Sequence, residues 1–209
     1  MFSLQTIFGK GDKFYGLLED SAAAARESAR ALGELLGTPP AQRSLERFKE
    51  ARQREKDLFA QINEELVNTF VTALEREDIE ALSNALYKIP KVIEKFAERY
   101  TLASARVADV DFISRAAMLE RACVVLEEMV ALLRKGMDLD TTRKLNDKLQ
   151  AIETEADRLI LELYRDTYTQ EQDPMRYLIL KDLFEILEKA IDRCRDAGNV
   201  IYHVVLKNA

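Results

Sequence analysis

Apolar residues recur along almost the whole chain at spacings of three and four, and no stretch alternates with period two for long enough to predict a strand. The segment from Leu145 to Leu163 shows the pattern well, with Leu145, Leu149, Ile152, Ala156, Leu159 and Leu163 forming one stripe of a helix. Breaks in the period are few. Gly37-Thr38-Pro39-Pro40 ends a first helix of about residues 12–36. A second helix is expected over about 41–75, and a third over about 77–100, bent or interrupted at Pro90. The segment around Thr101–Ala105 leads into a fourth, about 105–135, which stops at Gly136. A fifth follows over about 141–167. Asp173-Pro174 then supplies an N-cap and a proline at the first helical position, opening a sixth helix to about residue 207.

Three helices followed by three suggest duplication. Residues 52–66 lie against 151–164 and residues 81–96 against 182–197, an offset of about 100 in both cases. The repeat is too short for a solenoid. It predicts an all-α protein of six helices, arranged as two tandem antiparallel three-helix bundles, residues 1–104 and 105–209, joined in one continuous domain. The alignment also exposes an asymmetry. Asp57 matches Asp157, but Gln53 stands for Glu153, Asn84 for Glu185, Tyr87 for Glu188 and Lys91 for Asp192. The second half is acidic where the first is neutral or basic.

Glu153 and Asp157 fall on one flank of the fifth helix, four residues apart, where like charges repel by roughly 0.2–0.5 kcal/mol. Glu188 and Asp192 fall on the flank of the same rotational sense in the sixth helix, whose core stripe is Leu180, Leu183, Phe184, Leu187, Ile191, Cys194 and Tyr202. Two helices joined by a short turn run antiparallel, so such flanks either face each other or both face away, and bundle handedness decides which. Their levels agree, since Glu153 and Glu188 each lie about 21 Å from the turn at 1.5 Å per residue. If the flanks converge, four carboxylates meet and suppress one another's ionisation unless a cation joins them. An all-oxygen ligand set favours Mg, Ca, Mn or iron over copper. If they face away, they form a solvated flank with Arg158, Lys189, Arg193 and Arg195 at hand to pair with them. Both readings stay open at this point.

Composition narrows the function class. The 209 residues are 47% apolar and 33% charged, with 7 Gly, 4 Pro and no Trp, which suits a helix-rich globular chain. A net charge of −6 and a pI near 5.1 disfavour a nucleic-acid role. Cys123 and Cys194 read as buried thiols of a reducing compartment, and no apolar run is long enough to span a membrane, so a cytoplasmic protein is expected. No glycine-rich phosphate loop or Cys–His pairing occurs, and His203, the sole histidine, lacks the Glu-x-x-His partner of carboxylate-bridged di-iron bundles. The chain therefore reads as a non-enzyme, with His203 exposed or capping. Phe2, Leu4, Ile7, Phe8, Lys10 and Lys13 at the start either pack on the bundle, which is the simpler reading, or form an arm for a membrane surface or partner. Tyr164, Tyr168 and Tyr177 are expected to pack around the last turn.

The opening "FGKGDKFYGLLEDSAAAARESARALGELL" resembles the first helix of the PhoU-like phosphate transport regulators, the Pit accessory proteins. "NTFVTALEREDIEALSNAL" is similar to their signature of threonine, acidic turn and Arg-Glu-Asp-Ile, here Thr72, Glu75, Arg76, Glu77, Asp78 and Ile79. "IETEAD" and "EILEKAIDRCRDAGNVI" resemble the acidic motifs of their second half, and the likeness runs in order over nearly the whole chain. It implies two tandem three-helix bundles and a cytosolic, non-enzymatic accessory role beside an inorganic phosphate transporter of the Pit type. A metal ion (iron, Mg, Mn, Ca or Zn) would be held by Glu153, Asp157, Glu188 and Asp192, with Glu185 a neighbour. The first half, with Gln53, Tyr87, Pro90 and Lys91, departs from the motif, so one metal site at most is expected. The resemblance leaves peripheral membrane contact through the transporter, and a homo-oligomer, open. The alternative is a structural or membrane-surface helical adaptor without metal. The Glu75–Asp78 turn is expected to stop one helix and cap the next. Arg76 could instead hold a carboxylate of the other half, or a phosphate.

Overall fold

The structure, a computed structural model, describes residues 4–170 and 173–208, with side chains from Lys13 onward apart from residue 170. Among these residues the chain forms six α-helices and no strand: α1 Leu4–Gly37, α2 Glu46–Asn68, α3 Arg76–Ala103, α4 Ile113–Arg134, α5 Leu139–Gln170 and α6 Pro174–Asn208. None of them is long and apolar enough to cross a membrane. Phe2 lies outside the described residues, as do the side chains of Leu4, Ile7, Phe8 and Lys10; Lys13 pairs with Glu65 at 2.6 Å.

Several expected boundaries move. α2 begins at Glu46, not near 41, because Pro40–Gln42 turn as a 3-10 helix and Arg43 is extended. It stops at Asn68 instead of 75. Arg76 explains the stop: its guanidinium donates to the carbonyls of Thr69 (2.8 Å) and Leu66, groups that a helix end leaves without partners. α4 begins at Ile113 instead of 105, with Asp111 accepting from the Ser114 N–H at 3.0 Å as a cap. Pro90 does not interrupt the third helix. It lies buried inside a continuous α3, where packing offsets the hydrogen bond its nitrogen cannot donate. The α4–α5 turn follows expectation, with Gly136 at φ 109° and the Met137 N–H closing back on the Leu132 carbonyl at 3.2 Å. Asp173 caps α6 through the Met175 N–H at 2.9 Å.

α1 packs along α4 and α3 along α6, so the two halves bury one contiguous core. Ala22, Ala25 and Ala29 give α1 a flat face for that approach. α3 and α6 run antiparallel, held at one end by Lys207 with Asp78 (2.7 Å) and at the other by Arg99 with Asp182. An aromatic cluster ties the halves together, Phe112 lying 5.6 Å from Phe96 of α3 and 4.9 Å from Phe184 of α6. Cys123 of α4 and Cys194 of α6 are free and buried, their sulfurs 3.6 Å apart. The result fixes α6 against α3 on one side and α5 on the other.

Candidate functional site

α5 and α6 lie antiparallel, with Tyr164 bonded to Glu185 and Arg195 to Asn146 across the pair; counting from the turn puts Asn146 and Arg195 at one level but not Tyr164 and Glu185. Their acidic flanks face each other. Glu153, Asp157, Glu185, Glu188 and Asp192 all line one groove of about 940 Å³. Within it Asp157, Glu188 and Asp192 converge, each offering a carboxylate oxygen within 4.8 Å of the others. Glu153 borders this trio, and Glu185 is drawn away from it, bonded to Lys181 and to the Tyr164 hydroxyl at 3.0 Å.

The neighbouring arginines are engaged elsewhere, whereas Lys189, which also lines the groove, has no ion pair among the described residues. Arg158 pairs with Glu162 at 2.5 Å and Arg193 with Asp196 at 2.7 Å. Arg195 donates to Asn146 at 2.7 Å and Asn199 at 2.6 Å, closing one end of the groove. Lys181, Glu185 and Tyr164 close the other. Among the described residues, Glu153, Asp157, Glu188 and Asp192 have no ion pair.

The electrostatics follow. Burial, then the charges of Asp157, Glu153 and Asp196, push the Asp192 carboxyl up to about 6, with Arg193 opposing. Burial, then Asp192 and Asp157, raises Glu188 as well. Glu185 instead lies below its ordinary value because Lys181 hydrogen-bonds its charged form. Burial and Glu185 raise the Tyr164 hydroxyl, which stays a donor. Such a trio is costly without a counter-charge and well suited to one. Cation–oxygen bonds of about 2.0–2.6 Å place two ligand oxygens at most about 5 Å apart. The 4.8 Å spread of the three carboxylates therefore fits a single hard cation.

The first half is closed at the corresponding place. Gln53 donates to Asp57 at 2.8 Å, and Tyr87 is covered by Phe59 (4.8 Å between rings) and by the Arg52 guanidinium (4.1 Å). Lys91 turns toward α6. His203 is exposed, and the Tyr168 ring packs at a tilt between Tyr164 (6.4 Å) and Tyr177 (5.4 Å) at the last turn. Tyr164 does more than pack, since it reaches Glu185. Its place four residues beyond Ile160 and seven beyond Asp157, on the same flank, is the sequence signal for that.

No protein-family model matches the chain. Its six-helix fold is shared with a PhoU-like protein from Shewanella oneidensis, at a TM-score of 0.79 and 17% identity over 93% of this chain and 99% of that one. PhoU from Pseudomonas aeruginosa superposes at 0.65 with 14% identity, covering 99% of this chain and 98% of the other. The fold is thus PhoU-like. In sequence the chain is similar to a Rhizobium meliloti protein named "Putative pit accessory protein", 24% identical over 94% of each chain. It is also 26% identical to YkaA of Bacillus subtilis over 69% of this chain and 70% of that protein. The resemblance carried by the sequence motifs holds.

Proposed function

We propose that this protein is a non-enzymatic accessory of inorganic phosphate transport that holds one hard metal cation between α5 and α6. The observation that carries the metal reading is the convergence of Asp157, Glu188 and Asp192 within 4.8 Å, with the surrounding arginines engaged elsewhere. Asp157, Glu188 and Asp192 would bind the ion, and Glu153 at the rim would complete the charge. A cation bridging two helices links their relative position to occupancy, which is how a helical adaptor senses a metal.

The transport role is supported by likeness over 94% of each chain to a protein named for that role. A transporter of the Pit type would be the partner, met in the cytoplasm. The α2–α3 turn suits such a contact. Phe70 and Val71, 102% and 60% exposed, stand on a loop held by Arg76, beside Val67 of the last turn of α2, which is 82% exposed, so little ordering is lost on binding.

The test is metal content by inductively coupled plasma mass spectrometry together with phosphate uptake, on wild type and the Glu153→Gln, Asp192→Asn double variant. Metal bound by wild type and lost in the variant, with a changed uptake rate, supports the reading. Metal-free wild type after reconstitution would remove the cation. An uptake rate indifferent to the protein would remove the transport role.

A further inference from the structure

A second groove, of about 450 Å³, runs between α3 and α6 on the other side of the Lys189–Arg193 ridge from the acidic one. Its charge is opposite in sign. Lys88, Lys91 and Lys95 line it from α3, three and four residues apart and so on one face, and Lys189 and Arg193 line it from α6. The acids in the same groove are Glu94 and Glu98. Glu94 is partly buried and faces Arg52 across 3.9 Å, and Arg193 is paired with Asp196. Among the described residues Lys88, Lys91, Lys95 and Lys189 have no ion pair. In a chain of net charge −6, four unpaired ammonium groups in one groove repel one another unless an anion joins them.

We infer that the α3–α6 groove binds a compact, multiply charged phosphoryl anion, an inorganic di- or oligophosphate, through Lys88, Lys91, Lys95 and Lys189. Four point charges on two rigid helices match the spread oxygens of such an anion, for which lysine is a standard ligand. The groove is larger than one orthophosphate needs, and Val92 and Ile186 line it between the charges, so a short chain of phosphoryl groups fits its length. An extended acidic peptide fits less well, because the acidic groove across the ridge repels any strand leaving over α6. Lys91 occupies the repeat position of Asp192, so the half that forfeited its carboxylates gained a cation facing α6. The inference stands apart from the metal reading.

Isothermal titration of the full chain with sodium pyrophosphate, at low ionic strength with chelator present, tests it on three proteins. Wild type should bind, with affinity falling as salt rises. The Lys91→Glu, Lys95→Glu variant alters exposed side chains only, and its affinity should drop about tenfold or more. The Glu188→Gln, Asp192→Asn variant should bind as wild type does. No binding by wild type, or equal binding by the lysine variant, would overturn the inference. Binding lost only in the Glu188, Asp192 variant would overturn it too, since binding would then depend on the acidic groove and not on the lysines. Co-sedimentation with phosphatidylglycerol vesicles without any response to pyrophosphate would assign the groove to lipid headgroups and overturn the soluble ligand.

Discussion

The Gln53 amide donates to the Asp57 carboxylate at 2.8 Å, whereas the equivalent positions of the second half hold two carboxylates, Glu153 and Asp157, which cannot bond each other when ionised. One substitution separates a satisfied pair from an unsatisfied one. The first half has thereby closed its groove, and Arg52 and Tyr87 cover it. The second half has kept both the charge and the opening.

That asymmetry predicts how the protein responds to metal. A cation present at a hundredfold excess over its Kd stabilises the folded chain by about 2.7 kcal/mol. For a chain of this size that corresponds to a rise in melting temperature of about 5–10 °C. Thermal scans with and without Mn(II) should show the rise in wild type and not in Asp192→Asn, which should itself melt higher than metal-free wild type because one repelling charge is gone. Gln53→Glu, in the first half, should leave the metal-dependent rise unchanged. An equal rise in Asp192→Asn would place the ion elsewhere.

The pairing of α5 with α6 depends on a position without a side chain. A Cβ at Gly198 would lie 2.4 Å from a Leu149 methyl and 3.3 Å from the Asn146 side-chain oxygen. Leu149 is itself buried and has little room to give. Gly198→Ala should therefore cost about 1–3 kcal/mol by overpacking, despite alanine's better helix propensity. Urea denaturation measures this; a variant as stable as wild type would mean that the helices shift apart without penalty.

Much of the architecture is legible in the sequence because long amphipathic helices repeat one period, and the caps at Gly136 and Asp173 are local signals. The errors fall where a non-local partner decides. α2 ends early because Arg76, ten residues beyond Leu66, takes its carbonyls, and residues 105–112 leave the helix to seat Val107 and Phe112 in the shared core. The acidic residues could be placed on two flanks at matching levels, but their convergence follows from bundle handedness, which side-chain period does not carry. The engagement of Arg158, Arg193 and Arg195 elsewhere is likewise a matter of rotamer and neighbour. Glu55 is legible as an exception, since it interrupts the stripe of Phe48, Ala51, Leu58, Ile62 and Leu66, and it is fully buried.

Arg76 carries a prediction that separates cap from ligand site. It spans the α2–α3 turn by donating to the Leu66 and Thr69 carbonyls, while Thr72 bonds the Leu74 carbonyl at 2.6 Å. Arg76→Ala should destabilise the chain by about 1.5–3 kcal/mol, the worth of charged donors to otherwise unpartnered groups. Hydrogen exchange should speed up at residues 66–79 first. Unchanged exchange there would mean that the turn holds without the guanidinium.

The buried Glu55 sets a pH dependence. Burial pushes its carboxyl from 4.5 up to about 8, with Ser21 of α1 and the charges of Arg52 and Arg54 offsetting this in part. The folded chain therefore keeps the proton to about pH 8, whereas the unfolded chain releases it near pH 4.5. Between those values the unfolded state binds fewer protons, so this group's contribution to stability falls as pH rises and levels off above about 8. Glu55→Gln keeps the shape of the neutral acid and removes the titration. Its stability relative to wild type should grow from pH 5 to pH 8 by on the order of 3 kcal/mol. Glu188 and Asp192 titrate in both proteins and cancel in the difference. Denaturation curves for the two proteins across that range decide the matter, and a constant gap would show that Glu55 is ionised in the fold.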